Sequence, residues 1–145
     1  MRFNRRALGR PKRNNLEDQY QEQVFSWAAM NEAREPRLKF LFHVPNGGHR
    51  HPSVALKLKR QGVKRGVPDI FLPVKVQYFD PGNTFSGLWI EMKAGKNKPS
   101  ADQMAWINFL RKEGYRVCIC WTPEEAIREI EAYLGMGPQA RAGRV

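Results

Sequence analysis

Two short apolar runs with charged residues at their ends constrain the fold of this chain most strongly. The first run, residues 70–76, is rich in β-favouring residues and follows a Gly-Val-Pro-Asp stretch that ends at Asp69. The second run, residues 88–93, contains Glu91 and Lys93 two positions apart, so both side chains point to one face of a strand. The turn-rich segment between the runs can fold the second strand back beside the first. The pattern therefore predicts that two carboxylates and a lysine converge at the edge of a sheet.

This set of side chains suits the hydrolysis of a phosphodiester bond. Two carboxylates supply oxygen ligands for a hard divalent cation such as Mg²⁺, which polarises a phosphoryl oxygen and lowers the pKa of a bound water. A neighbouring lysine can position that water or neutralise charge that develops on the phosphate. A Glu-x-Lys pair alone is more often an exposed ion pair that contributes little energy. Together with the Pro-Asp pair it is more specific, and it makes Asp69, Glu91 and Lys93 the candidate catalytic residues.

The charge of the chain favours a nucleic-acid partner. Among 145 residues, 25 Lys and Arg outnumber 14 Asp and Glu, and the resulting net charge of +11 fits phosphate neutralisation. An anionic membrane surface would also fit this charge, but no apolar run approaches the ~20 residues that span a bilayer. The basic N-terminus has no apolar stretch behind it, unlike a signal peptide. Because Cys118 and Cys120 match no zinc-ligand spacing, we expect buried free thiols in a cytoplasmic protein.

The apolar patterns indicate one domain with a tail at each end. Residues 1–15 lack apolar periodicity and are predicted to form a flexible basic arm, which either contacts nucleic acid or only aids solubility. Residues 16–134 alternate helical and strand patterns, which predicts an α/β fold with a central mixed sheet between helices. Residues 135–145 are rich in Gly and Pro and are predicted to be a disordered tail.

Capping residues set the predicted bounds of the helices. Strands are also expected over residues 39–44 and 115–121, the second buried on both faces. His43, in the first of these strands, is expected to be a core or sheet histidine and not a catalytic one. The predicted helices are residue 16 onward after the cap Asn15, 54–61 after Ser53, 101–112 after Ser100 and 123–134 after Thr122.

Two further groups of residues extend the candidate site. Glu17 and Gln21 lie at the edge of the apolar side of the first helix, where a helix can deliver a carboxylate to a metal at a sheet edge; the alternative is an exposed helical carboxylate. Basic residues cluster ahead of Asp69 and follow Lys93, and phosphate binding is favoured over a merely solvated face. The candidate nucleic-acid contacts are Arg50, Lys57, Arg60, Lys64, Arg65, Lys96 and Lys98.

These features together resemble the PD-(D/E)xK nuclease superfamily, and specifically its VRR-NUC domain. The resemblance rests on GVPDIFLPV followed by GLWIEMKAG, and it extends over residues 16–134. Further family-like pieces are Glu17-x-x-x-Gln21, the Val-Pro-Asn-Gly-Gly loop at 44–48, Gln103, and Gly-Tyr-Arg-Val at 114–117. Stand-alone copies of this domain are typical of phage genomes, so the expected cytoplasmic location is the host cytoplasm if the chain is phage-encoded.

The resemblance implies a restriction-endonuclease-like three-layer core and metal-dependent cleavage of branched, flapped or Holliday-junction DNA. In this interpretation Asp69, Glu91 and the backbone carbonyl of Met92 bind Mg²⁺ or Mn²⁺, and Glu17 assists directly or through a water. Gln103, in the helix after Lys93, binds the scissile phosphate or positions the attacking water.

The resemblance also places Asn46 and Gly47 near the DNA backbone and implies a homodimer, since symmetric cleavage of a junction needs two active sites. Two alternatives remain open from the residues themselves. Beside the nuclease interpretation stand a nucleic-acid-binding module that does not cut and a basic structural protein.

Overall fold

The computed structural model of the protein describes residues 13–45, 51–78 and 83–136. Its helices are α1 (Arg13–Asn31), α2 (Pro52–Arg60), α3 (Ala101–Lys112) and α4 (Pro123–Leu134). Its strands are β1 (Phe42–His43), β2 (Ile70–Leu72), β3 (Val76–Gln77), β4 (Thr84–Phe85), β5 (Leu88–Met92) and β6 (Arg116–Cys120).

A four-stranded mixed sheet in the order β1-β2-β5-β6 forms the centre of the domain. Strand β2 pairs antiparallel with both β1 and β5, whereas β5 and β6 are parallel. The turn-rich segment folds β5 back beside β2, as predicted, and itself contains a small β3–β4 hairpin. Strand β5 therefore lies inside the sheet with a partner on each side.

Helices cover both faces of this sheet, so the predicted α/β fold with flanked central sheet is confirmed. Helices α1 and α4 pack on one face, where Ile70, Ile90 and Ile130 are fully buried in the main core. Helix α3 packs on the other face through a smaller cluster around Ile107 and Val117. Fully burying one such aliphatic side chain stabilises the fold by about 1.5–3 kcal/mol. None of the helices in the described part of the chain is long and apolar enough to cross a membrane.

The two C-terminal helices have the predicted bounds because their caps are local. The Ser100 hydroxyl accepts a hydrogen bond from the Gln103 backbone N–H at 3.2 Å, and the Ser100 N–H donates to Oε1 of Gln103 at 2.8 Å. This capping box satisfies two backbone donors at the start of α3. The Thr122 hydroxyl likewise accepts from the N–H of Glu125 at 3.1 Å.

Proline residues account for several errors in the predicted bounds. The first two residues of the strand expected over 39–44 belong instead to a 3-10 helix, Pro36–Phe40, because the Glu35 side chain accepts from the N–H of Arg37 and Pro36 supplies a helical φ. Only β1 remains as strand. The run over 70–76 likewise ends as a strand at Leu72, since Pro73 has no N–H for the ladder.

The helix starts in the N-terminal half also differ from prediction. Helix α1 begins at Arg13 and not at residue 16, so the last residues of the predicted basic arm are helical; residues 1–12 lie outside the described part. Helix α2 begins at Pro52, with His51 as its cap instead of Ser53.

The C-terminal tail and the cysteines need smaller corrections. Gly135 ends α4 with a φ of 69°, and Met136 is buried in the core, so ordered structure extends to 136 while residues 137–145 lie outside the described part. Both cysteines are free, but only Cys120 is buried, since Cys118 lies half-buried on the edge strand β6. Burial raises the pKa of each thiol to about 12, so both stay protonated.

Gly66 holds the segment before β2 against the start of α3. Its φ is +87°, and a Cβ there would lie 2.7 Å from the backbone carbon of Asp102. The Trp106 indole N–H donates to the carbonyl of the neighbouring Arg65 at 3.0 Å. The close approach therefore fixes the segment that leads to Asp69 on the first turn of α3.

This contact gives a stability prediction. Gly66→Ala combines a strained φ, which costs roughly 1–3 kcal/mol, with a clash against helix backbone that cannot yield. Gly62→Ala is the matched control because Gly62 has a φ of +93° but nothing within 4 Å of the added Cβ. We expect Gly66→Ala to lower the free energy of unfolding, measured by urea denaturation, clearly more than Gly62→Ala. Equal losses at the two positions would contradict the close-packing argument.

Candidate active site

Asp69 lies immediately before the first residue of β2, beside β5. The register pairs Ile70 with Ile90, so one further step sets Asp69 opposite Glu91. Pro68, just ahead of Asp69, has no N–H to donate to the ladder. The Asp69 carboxylate lies against β5, where its Oδ2 accepts a hydrogen bond from the N–H of Met92 at 2.8 Å. The side chain of Asp69 is therefore held against the last residues of β5.

Glu91 and Lys93 form a buried ion pair at the end of β5. The Nζ of Lys93 donates to Oε1 of Glu91 at 2.6 Å, and the two residues are only 6% and 1% exposed. Gln103 donates from Nε2 to the same Oε1 at 2.7 Å. Gln103 thus links the cap of α3 to Glu91, and its contact with phosphate or water stays a prediction.

The second oxygen of Glu91 distinguishes this cluster from a simple ion pair. Its Oε2 is buried and has no hydrogen-bond partner among the described residues. Leaving a charged oxygen buried without a partner is costly, so such an atom calls for a cation or a donor. Oxygen ligands from Glu91 and Asp69 are the type that Mg²⁺ and Mn²⁺ prefer.

The pKa values of the two carboxyls are also those expected of a site that lacks a compensating cation. The pKa of Glu91 is raised to about 7, first by burial and then by the negative charge of Asp69, against the opposing effect of Lys93. Burial also raises the pKa of Asp69, although the hydrogen bond from Met92 and the charge of Lys93 oppose the shift. Two carboxylates in a dry site therefore disfavour each other's charge, and a bound cation would relieve that repulsion.

Glu17 reaches the same region from α1. Its Oε1 accepts a hydrogen bond from Nδ2 of Asn97 at 3.2 Å, and its charge contributes to the raised pKa of both Asp69 and Glu91. Across the described ranges 13–45, 51–78 and 83–136, no group of three or more His, Cys, Asp or Glu residues is arranged to hold a metal ion. This arrangement therefore has two carboxylates at the centre, with Glu17 outside them.

The basic residues predicted to contact nucleic acid are exposed wherever the structure describes them. Helix α2 buries none of its side chains, so its cations are available to a partner. Asn46, Gly47 and Arg50 lie outside the described residues. The exposed cations are Lys57, Arg60, Lys64, Arg65, Lys96 and Lys98.

Sequence reasoning missed three contacts of the site. His43 lies in the sheet, at its exposed edge and not in the core. At this edge its Nδ1 donates to the carbonyl of Asp69 at 2.7 Å. Asn97 contacts Glu17, and Trp121 donates from Nε1 to the carbonyl of Asn97 at 2.8 Å. Only tertiary structure joins these residues, and no spacing in the sequence signals the contacts.

Comparisons with known proteins show which protein family the chain belongs to. The model of the VRR-NUC domain matches residues 10–122. A solved structure described as a "VRR_NUC domain protein" is 28% identical, with a TM-score of 0.64 over 83% of this chain and 89% of that chain. No curated protein matches the sequence.

The fold is that of an α/β domain similar to the solved VRR_NUC domain protein. The chain belongs to the VRR-NUC domain family, because the family model covers more than half of it. Family membership supports a nuclease-type function in general and a nucleic acid as the substrate.

The raised pKa of Glu91 predicts how stability depends on pH. The folded carboxyl titrates at about 7, above the 4.5 of an exposed glutamate, so the folded protein binds more protons than the unfolded chain between these values. Stability of the metal-free protein should therefore fall as pH rises through this window, and the shift of Asp69 acts in the same direction. Thermal denaturation in EDTA between about pH 5 and 8 measures the slope.

Glu91→Gln should flatten this dependence because the titrating group is gone. Glu22→Gln, on the exposed side of α1, is the control and should keep the wild-type slope. A Glu91→Gln protein with an unchanged slope would show that this carboxyl does not titrate where its burial predicts.

Proposed function

We propose that the protein is an endonuclease that hydrolyses phosphodiester bonds in DNA and depends on Mg²⁺ or Mn²⁺. The observation that carries the proposal is the buried Oε2 of Glu91, which has no hydrogen-bond partner among the described residues and belongs to a carboxylate beside Asp69 and Lys93. A merely structural ion pair would satisfy both oxygens or remain exposed, since burying charge without compensation is destabilising.

In this proposal Asp69, Glu91 and the backbone carbonyl of Met92 hold the cation. When bound, the cation polarises a phosphoryl oxygen and lowers the pKa of a water. Glu17 assists through a water, which suits its place outside the two central carboxylates. These ligands come from the ends of β2 and β5 and from α1, so the fold itself sets their spacing.

Lys93 acts on the nucleophile and on the phosphate. Its ammonium is held at the Glu91 carboxylate and is nearly inaccessible to bulk water. In that position it orients the attacking water and stabilises negative charge that develops on the phosphate oxygens. Gln103 keeps Glu91 in place, because its amide donates to one carboxylate oxygen while its own oxygen is fixed by the cap of α3.

Branched, flapped or Holliday-junction DNA is the proposed substrate. The exposed lysines and arginines of α2 and of the loop after β5 supply phosphate contacts, and the net charge of +11 strengthens attraction to DNA. A homodimer would place two active sites on one junction. Both assignments extend the family's nuclease-type function to a particular substrate and assembly.

Neutralising either central carboxylate tests the metal assignment. Asp69→Asn and Glu91→Gln keep the shape of the side chain and remove its charge, so cleavage of a junction or flap in Mg²⁺ should fall by at least about 10²-fold. Binding of the same DNA in EDTA, measured by fluorescence anisotropy, should persist. Glu22→Gln is the matched control and should cleave at the wild-type rate.

Two results would contradict the proposal. Near wild-type cleavage by Asp69→Asn or Glu91→Gln would remove these residues from the active site. A wild-type protein that binds DNA but leaves it intact in both Mg²⁺ and Mn²⁺ would be a non-cleaving binding module.

Lys93→Arg separates a positioned ammonium from simple charge balance. Arginine keeps the charge, but its planar guanidinium is larger than the compact ammonium and has no room in a position only 6% exposed. We expect a loss of roughly 10²–10³-fold in cleavage rate, the usual cost of one transition-state donor. Lys75→Arg, in an exposed loop, should cleave normally. If Lys93→Arg cleaved DNA at the wild-type rate, the role of Lys93 would be only to balance charge.

A further inference from the structure

The loop after β5 brings three elements of the fold together. Within residues 94–98, the side chain of Asn97 donates to Glu17 of α1 at 3.2 Å, and the backbone carbonyl of Asn97 accepts from Nε1 of Trp121 at 2.8 Å. Trp121 lies two residues before the start of α4, and its backbone N–H donates to Oε2 of Glu125 at 2.7 Å. From this chain of contacts we propose that Asn97, held in place by Trp121, is a positioning residue that sets the Glu17 carboxylate beside the active site.

The backbone of Asn97 is fixed on both sides of its side chain. Its N–H donates to the carbonyl of Ala94 at 3.1 Å and closes a turn, while its carbonyl is held by the Trp121 indole. Gly95 allows this turn with a φ of +58°. The amide of Asn97 therefore has a defined direction, and the hydrogen bond to Glu17 restricts a long side chain that would otherwise sample several rotamers.

The chemistry of asparagine suits this role better than that of its neighbours. The amide donates a hydrogen bond without neutralising the charge of Glu17, so the carboxylate keeps its full negative charge for a cation. Lys96 and Lys98 on either side are exposed, whereas Asn97 is half-buried. A lysine at 97 would pair with Glu17 and reduce its attraction for a cation.

This inference rests on the proposed function, because that function gives Glu17 its role through a water. Residues that orient a ligand sphere without touching the metal typically change metal affinity or activity by about 10- to 100-fold. Asn97 acts on Glu17, so its effect must disappear when Glu17 is absent. If the contact were merely structural, the Asn97 substitution would change the stability of the protein equally with and without Glu17.

A double-mutant cycle tests the assignment. Mn²⁺ affinity is measured by titration calorimetry, and cleavage of a junction substrate is measured in parallel. We expect Asn97→Ala and Glu17→Ala each to weaken Mn²⁺ binding by about 10-fold, and the double variant to bind no more weakly than Glu17→Ala alone. In cleavage, Asn97→Ala should lower kcat and leave KM unchanged, since Asn97 does not touch the substrate.

Two additional variants complete the experiment. Trp121→Phe keeps an aromatic side chain but removes the pyrrole ring with its N–H donor, so it should weaken Mn²⁺ binding in the same direction and also lose its effect in the Glu17→Ala background. This arm carries the test if Asn97→Ala fails to fold, which thermal denaturation detects. Asn83→Ala, at an exposed asparagine next to β4, should leave Mn²⁺ binding and cleavage at wild-type values.

The outcomes separate this inference from the proposed function. Unchanged Mn²⁺ affinity in Asn97→Ala, or additive losses in the double variant, overturns the positioning role even if the wild-type protein cleaves DNA. Coupled losses of Mn²⁺ affinity support the role even if the wild-type protein cleaves no DNA, in which case the nuclease proposal fails on its own.

Discussion

The burial of Glu91 at the end of the central strand β5 is the constraint on which the rest of the structure depends. An ionised carboxylate in a dry interior costs several kcal/mol unless its oxygens are compensated. Lys93 and Gln103 compensate one oxygen, and the other is left for a cation. Burial, and then the negative charge of Asp69, raise the pKa of this carboxyl to about 7, because Lys93 offsets them only in part. The site is therefore organised for binding at a cost to the stability of the metal-free protein.

The surrounding elements hold this carboxylate in its place. The capping box fixes Gln103 at the start of α3, and the close approach of Gly66 fixes the segment before β2 against the same turn. Asp69 is then held by a backbone N–H of β5. Sheet register alone would place the carboxylates opposite each other, whereas these contacts also fix the direction of the side chains.

Much of this arrangement was predictable because it depends on local rules. The i, i+2 spacing puts Glu91 and Lys93 on one face, and the caps at Ser100 and Thr122 define α3 and α4 to the residue. The strand predicted from residue 39 failed because Pro36 favours the start of a helix, and a 3-10 helix formed there despite the β-favouring residues that follow. The packing of Met136 depends on tertiary contacts that a Gly- and Pro-rich tail does not signal.

Anomalous diffraction from crystals grown with Mn²⁺ tests the central claim most directly, because it locates the ion without relying on activity. The account predicts an anomalous peak within coordination distance of Asp69 and of Oε2 of Glu91, at about the 2.0–2.1 Å expected for oxygen ligands of a small divalent cation, with the carbonyl of Met92 as a further ligand. A protein that cleaves DNA in Mn²⁺ but shows no peak between these carboxylates would contradict it.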